Sequence, residues 1–273
     1  MFFVSGGLVV MTNKEEIKTQ WFKALLKAKK ERRSIDSPSS AFGAISVEDA
    51  YDVQDMLIKH MLEKDERIVG WKVGATSHAV MEQLKIKEPF LGCMTSRSEF
   101  SFLKEIKSSH FCKLAVEGEI VFVMGKSLKG PGVTRTDVIQ ATAGIMGAVE
   151  FVDCRITDWQ VTTAEAIADN ALHAGIVLGP FMKSVSGFDL IHEGVVMYRN
   201  GHLQASACGV ETLGDPLNVM VWLVNKLGTF GKELSAGAIV STGSLTRFFF
   251  VEPRDVFDVS FSNLGRIHFS IGH

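Results

Sequence analysis

Three glutamates sit in segments otherwise built for burial. Glu117 and Glu119 lie two residues apart in "LAVEGEIVFVMG", and Glu150 interrupts the apolar run of "GIMGAVEFVDCRITDW". Side chains alternate along a strand, so Glu117 and Glu119 share a face with Val121 and Val123, while Val116, Gly118, Ile120, Phe122 and Met124 occupy the other. Neither face is made for water. A buried carboxylate must protonate, pair with a cation or coordinate a metal, because a lone charge there costs several kcal/mol or more. Two readings follow. Each glutamate pairs with its own arginine or lysine in the core, or the three meet and form a hard oxygen site suited to Mg²⁺ or Mn²⁺, with coordination positions left for water and substrate.

Lys72 in "GWKVGAT" is the fourth candidate. Gly70 and Gly74 flank it on the same strand face and are expected to leave space for a ligand. A lysine beside a bound anion neutralises developing charge or passes a proton; the competing reading is a strand-end lysine that reaches solvent. "IVSTGSLT" offers Thr242, Gly243 and Ser244 at a strand end, where amides and hydroxyls can bind a carboxylate, or simply make a turn. "SHAVME" places His78 and Glu82 one helical turn apart, the spacing of a water-activating dyad and equally of any amphipathic helix.

The elements that must position these residues divide the chain in two. The first part reads helical: "NKEEIKTQWFKALLKAKKERR" spaces Ile17, Trp21, Ala24, Leu25 and Ala28 on one face. "SIDSPSSAFGA" breaks it, and "SVEDAYDVQDMLIKHMLEK" restarts with Ser46 and Asp49 as a capping box. The basic run from Lys27 to Arg33 is expected to be a solvated helix end. From about residue 67 short Val-, Ile- and Phe-rich strands bounded by Gly, Pro, Asn and Asp take over, with an Asn200–Gly201 hairpin turn. Two helices interrupt them, one in "TTAEAIADNALH" and one starting at Asp215–Pro216. The expectation is α+β, with a helical region over 1–66 and a β-rich catalytic body over 67–273.

The 273 residues are 46% hydrophobic and 22% charged, enough for a large core, and the net charge of −2 leaves no footprint for nucleic acid or an anionic membrane. Small molecules are the expected partners. Cys93, Cys112, Cys154 and Cys208 are scattered, a pattern that suits reduced thiols in a cytoplasm. The start "MFFVSGGLVVMTNKEE" lacks a basic region and a cleavage site and does not read as a secretory signal; Met11 is an alternative start, with Thr12 and Glu15 as a capping box. No run is long enough to span a bilayer.

"GWKVGAT", Glu117-x-Glu119, Glu150 in "VEFVDCR", "ADNA", "GDPLNVMVWLVNKL" and "STGSLT", in this order, resemble the 2-keto-4-pentenoate hydratase and 4-oxalocrotonate decarboxylase branch of the fumarylacetoacetate hydrolase superfamily. "AYDVQ" at 50–54 fits as well. The resemblance implies a mixed β-roll holding Mg²⁺ or Mn²⁺ on Glu117, Glu119 and Glu150, with Lys72 beside it, in a homo-oligomer acting on 2-oxo or 2-hydroxydienoic acids. It implies a hydratase or decarboxylase of aromatic-compound catabolism; an acylpyruvate-type hydrolase and a non-catalytic oxo-acid binder are the alternatives. Two positions depart from the pattern. Phe90 follows Pro89 where an aspartate is usual, and Leu172–His173 stand where serines follow "DNA". His173 is therefore carried as a catalytic candidate in place of a serine, against the reading of a packed helix-end histidine. Asn170 is carried with Thr242 and Gly243 as a substrate contact.

Overall fold

Helices build the back wall of the molecule before the first strand begins. The computed structural model describes residues 13–101, 103 and 105–273; the expectations at Met11 and Thr12 lie outside them. Helix α1 (Asn13–Glu31) buries Trp21, Leu25 and Ala28 at helical spacing, and Lys27, Lys29, Lys30, Arg32 and Arg33 all face solvent. After the short α2 (Pro38–Phe42), α3 (Val47–Leu62) starts at Ser46, whose hydroxyl accepts from the Asp49 amide, and buries Ala50, Val53 and Leu57. Trp21, Leu25, Val53 and Leu57 share one buried cluster with Phe90, Ile167 and Ala171. The N-terminal helices thus pack directly behind the segment that carries Asn170 and His173.

The remaining elements are β1 (Ile68–Gly74), α4 (His78–Leu84), β2 (Phe90–Thr95), β3 (Glu105–Lys107), β4 (Leu114–Met124), α5 (Arg135–Ala141), β5 (Thr142–Asp153) and α6 (Thr163–Ala168). They continue with β6 (His173–Leu178), β7 (Gly194–Arg199), β8 (His202–Cys208), α7 (Pro216–Thr229), β9 (Ile239–Ser244), β10 (Phe249–Phe250), β11 (Val256–Phe261) and β12 (Gly265–Gly272). One sheet runs β2-β1-β9-β4-β5-β6, with β10 also on β4, and the other runs β3-β12-β11-β7-β8. Pairing is mixed: β1 and β9 are parallel, β4 and β5 antiparallel. The hairpin β7–β8 turns on Asn200 (φ +53°) and Gly201 (φ +79°), and Asp215 caps α7 by accepting from the Leu217 amide. This is the α+β architecture with a mixed, curled sheet expected above.

The two sheets meet across one face of β4. A Cβ on Gly118 would touch Val195 of β7 and Val259 of β11, at 3.3 and 3.8 Å. Phe151 on β5 meets Phe269 on β12 edge-on at 5.2 Å. The face that carries Val116, Ile120 and Phe122 is therefore the core between the sheets, and the opposite face, with both glutamates, is turned away from it.

Candidate active site

The larger sheet contributes the site one strand at a time. Glu117 on β4 and Glu150 on β5 are direct partners across the antiparallel ladder, an arrangement of like charges that destabilises a sheet unless something compensates it. Glu119 follows on the same face. The β4–β9 register slips between Glu119 and Val121, an irregularity of the kind that re-aims a side chain. There the Ser241 hydroxyl and the Gly243 amide, the latter at 3.0 Å, both donate to Glu119 Oε2. Lys72, the neighbour of Ser241 across the parallel β1–β9 pair, places Nζ 3.2 Å from Glu150 Oε2 and donates to the Ala171 carbonyl at 3.0 Å. His173 opens β6 with Nδ1 2.7 Å from Glu150 Oε1 and Nε2 3.0 Å from Ser98 Oγ.

The charges do not balance. One carboxylate oxygen from each of Glu117, Glu119 and Glu150 lies within 4.8 Å of the other two, and Glu119 and Glu150 are fully buried. Lys72 is the cation paired with this group. Glu119 Oε1 has no hydrogen-bond partner, and Glu150 Oε2 has only the Lys72 ion pair. Burial pushes the Glu117 carboxyl up to about 8, against the pull of Lys72 and with the help of Glu150 and Glu119. It raises Glu119 and Glu150 as well. Burial alone would lower Lys72, but Glu150, Glu117 and Glu119 outweigh it and hold the ammonium above its usual range. His173 is pushed well below the ordinary histidine range by burial and by Lys72. The ring is therefore neutral. The Ser98 hydroxyl donates to the Thr95 carbonyl at 2.8 Å, so Nε2–H of the neutral ring donates to Ser98 Oγ and Nδ1 accepts from the protonated Glu150 carboxyl. An oxygen-only donor set with an orphaned buried oxygen fits a hard divalent cation.

A left-handed turn fixes the other side of Lys72. Asn170, Ala171 and Leu172 have φ of +54°, +52° and +60°, three consecutive non-glycine residues in a region that costs free energy to hold. The turn is clamped on both flanks. The Asn170 side chain accepts from Cys93 N and donates to Cys93 O, both at 2.8 Å. Asp169 receives Arg155 Nε at 2.6 Å and Arg155 N at 3.1 Å, and its carbonyl receives Arg155 Nη2 at 2.8 Å. Strain of this kind persists only where the surroundings over-determine it, and here it presents the Ala171 carbonyl to Lys72 and the His173 ring to Glu150.

A cleft of about 820 Å³ opens beside these groups, and Lys72, Glu117, Glu119, Trp159 and Phe248 are among the residues that line it. The structure brings together Lys72, Glu117, Glu119, Glu150 and His173. His173 touches Glu150, and neither of the two is among the residues that line the cleft. The remaining candidates are placed differently. The Asn170 amide is tied to the Cys93 backbone through both its oxygen and its nitrogen, where a substrate contact was expected. Thr242 donates to the Ile120 carbonyl and Gly243 to Glu119, so the strand end presents Ser244 and Thr246 to the cleft in their place. Gly70 and Gly74 leave room for protein, not ligand: a Cβ at Gly74 would meet the Phe90 ring at 2.6 Å, and one at Gly70 would collide with the Ile239 backbone. His78 and Glu82 face solvent on α4 and do not line the cleft.

Several functional neighbours carried no signal of their own. Ser98, Ser241 and the Ala171 carbonyl act through pairings across 75, 122 and 99 residues of chain. Arg155 had one legible cue, a lone arginine in the apolar run "VEFVDCRI".

Comparison with known proteins places the chain. Residues 73–271 match the model of the fumarylacetoacetate (FAA) hydrolase C-terminal family. A 2-hydroxyhexa-2,4-dienoate hydratase of Comamonas testosteroni is 32% identical over 257 residues, covering 93% of this chain and 97% of the relative. A 2-keto-4-pentenoate hydratase of Paraburkholderia xenovorans is 33% identical over 244 residues, covering 89% and 91%. Among solved structures, the 4-oxalocrotonate decarboxylase of Pseudomonas putida G7, complexed with magnesium and adipate, superposes with a TM-score of 0.90 at 28% identity, covering 96% of this chain and 99% of that one. The chain belongs to the fumarylacetoacetate hydrolase family, in the branch of the 2-keto-4-pentenoate hydratases and 4-oxalocrotonate decarboxylase.

Proposed function

We propose that the protein is a metal-dependent hydro-lyase that converts 2-hydroxy-2,4-dienoates of aromatic catabolism into 4-hydroxy-2-oxo acids. The observation that carries this reading is the cluster of three carboxylates, two of them fully buried and one oxygen orphaned, beside a cleft that Lys72 also lines. Glu117, Glu119 and Glu150 would hold Mg²⁺ or Mn²⁺. A bound divalent ion supplies positive charge for the substrate's carboxylate and 2-oxygen. In the reaction the 2-enol becomes a ketone as a proton is added to C5, and water then adds across C3–C4, hydroxyl to C4 and proton to C3. Lys72 stays protonated, with one N–H on the Ala171 carbonyl and the ammonium 3.2 Å from Glu150 Oε2, and its charge would meet the negative charge that grows on the 2-oxygen. His173 holds Glu150 in its rotamer, and Ser241 and Gly243 hold Glu119.

Product analysis with a 2-hydroxypenta-2,4-dienoate and Mg²⁺ tests the reading directly: a 4-hydroxy-2-oxo acid is expected. CO₂ release from an oxo-dienedioate without hydration of the dienoate would make it a decarboxylase, as the structural neighbour is named. Cleavage of an acylpyruvate would make it a hydrolase, a reading for which the exposed His78 and Glu82 offer no dyad at the cleft. Metal and oxalate binding with no turnover would make it a binding protein. We assign it to the cytoplasm, with Cys93, Cys112, Cys154 and Cys208 as free thiols. Among the described residues no helix is long and apolar enough to cross a membrane. A homo-oligomer would cover Phe181, Met182 and Leu203, which are 57%, 54% and 60% exposed, and the mass of the protein in solution checks it.

A further inference from the structure

The cleft is larger and more apolar than a short dienoate needs. Its volume is that of a pocket for a drug-sized ligand, and beyond the carboxylates and Lys72 it is walled by Val80, Phe90, Leu172, Trp159 and Phe248. One wall is aromatic and open to water. Trp159 stacks on Phe248 with ring centroids 4.9 Å apart, and Phe250 stands against both, at 5.1 and 5.3 Å. Phe248 and Phe250 are 42% and 36% exposed, an unusual amount of aromatic surface to leave in solvent beside a catalytic cleft. The backbone is strained to hold it there: Asp158 and Trp159 have φ of +57° and +58°, two consecutive non-glycine residues in the left-handed region.

The charges near this wall are of both signs, and Lys113 Nζ lies over the Phe250 ring at 4.4 Å. Arg247 and Glu211 both line the cleft, one of each sign, and the Arg247 guanidinium lies over the Phe249 ring at 5.1 Å. A terminal carboxylate would lose its hydration against aromatic carbon, where Lys113 and Arg247 are already held over rings. A terminal alkyl or aryl group would instead cover the exposed rings and complete the stack.

We propose that the aromatic wall of the cleft receives an apolar substituent, alkyl or aryl, on the end of the dienoate remote from C1, with Phe248 and Trp159 as the specificity-determining side chains. This rests on the hydratase reading above and deepens it. The test compares three substrates with Mg²⁺: the tail-less 2-hydroxypenta-2,4-dienoate, a 2-hydroxydienoate ending in a phenyl or butyl group, and one ending in a carboxylate. The apolar-tailed substrate should exceed the carboxylate-ended one in kcat/KM by about tenfold or more. Phe248→Ala, at an exposed position where folding is not at stake, should cut the ratio of apolar-tailed to tail-less kcat/KM by about tenfold, and Phe248→Glu should cut it further. A wild type that prefers the carboxylate end, or a ratio that neither variant moves, overturns the proposal. The same ratio, read calorimetrically as affinity for saturated 2-oxo acids with and without a phenyl tail, separates it from the hydratase reading. No turnover with the affinity ratio intact sinks the hydratase and keeps the apolar receptor; normal turnover without the ratio sinks the receptor alone.

Discussion

Two clusters of buried charge share strand β5, and they are built in opposite ways. At its end Asp153 and Arg155 join Asp169, and every oxygen of the two aspartates has a partner. Asp153 accepts from Cys112 N and Lys113 N and lies 3.6 Å from Arg155 Nη1, while Asp169 accepts from Arg155 Nε and N. Three residues earlier, Glu150 joins Glu117 and Glu119 with one lysine among three carboxylates and Glu119 Oε1 orphaned. A buried cluster that is closed stabilises and orients its surroundings; one left short of positive charge marks where a cation is to be bound. The closed cluster fixes the left-handed turn at 170–172, and that turn holds Lys72 and His173 against the open one.

The sharpest way to break this contrast is to remove one member of each cluster. Arg155→Met strands Asp169 and Asp153 in the core and should destabilise the protein by about 3–5 kcal/mol in denaturant unfolding. Glu119→Gln, measured in chelator, removes an uncompensated charge and should leave stability unchanged or raised. Equal losses in the two variants would mean that both clusters are structural ion networks.

Lys72→Met separates chemistry from scaffolding within the open cluster. Turnover of a 2-hydroxydienoate should fall on the order of a hundredfold or more, while Mn²⁺ affinity stays the same or tightens as a nearby positive charge is lost. Near-normal turnover would reduce Lys72 to a structural counter-ion. An affinity loss matching the activity loss would make it a support of the metal site.

Acidity should also report on the open cluster. Glu117, Glu119 and Glu150 have folded-state pKa values above the ordinary 4.5, with Glu117 at about 8, so in chelator the folded protein binds more protons than the unfolded chain across that window. The contribution of the three glutamates to stability then falls as pH rises from about 5 to 8, offset in part below about 6.5, where the unfolded chain's His173 takes up a proton that the folded ring does not. Melting in chelator at pH 5.5 and 8 checks the sign, and Mg²⁺ should flatten the slope while releasing protons, seen as a heat that varies with buffer ionisation enthalpy. The smallest effect is expected at the turn. Ala171→Gly relieves a φ of +52° and keeps the carbonyl that Lys72 uses, so stability should rise by up to about 1 kcal/mol with metal affinity unchanged.

The open cluster was the legible part of the sequence, because a carboxylate inside a Val- and Ile-rich strand contradicts its surroundings and the two-residue period of a strand fixes its face. The hairpin at Asn200–Gly201 and the cap at Asp215 were legible for the same reason, each being local chemistry that one short segment settles. Strands β2 and β3 and helix α5 were not. β2 takes its place from pairing with β1, and no alternation in "EPFLGCMTS" announces it. His173 was ambiguous because its neighbours Glu150 and Ser98 are assigned by the fold. Asn170, Thr242 and Gly243 were read as ligand groups because nothing in a single segment tells that Cys93, Ile120 and Glu119 already occupy them.

The open cluster's demand for a cation is tested most directly by thermal melting of wild type and Glu119→Gln, each in chelator and in millimolar Mg²⁺. Metal at about 100 times its Kd adds about 2.7 kcal/mol to the native state, so the wild type should melt clearly higher with Mg²⁺, and Glu119→Gln should lose most of that shift. A wild type that melts at the same temperature in both conditions would contradict the three-glutamate metal site and the mechanism built on it.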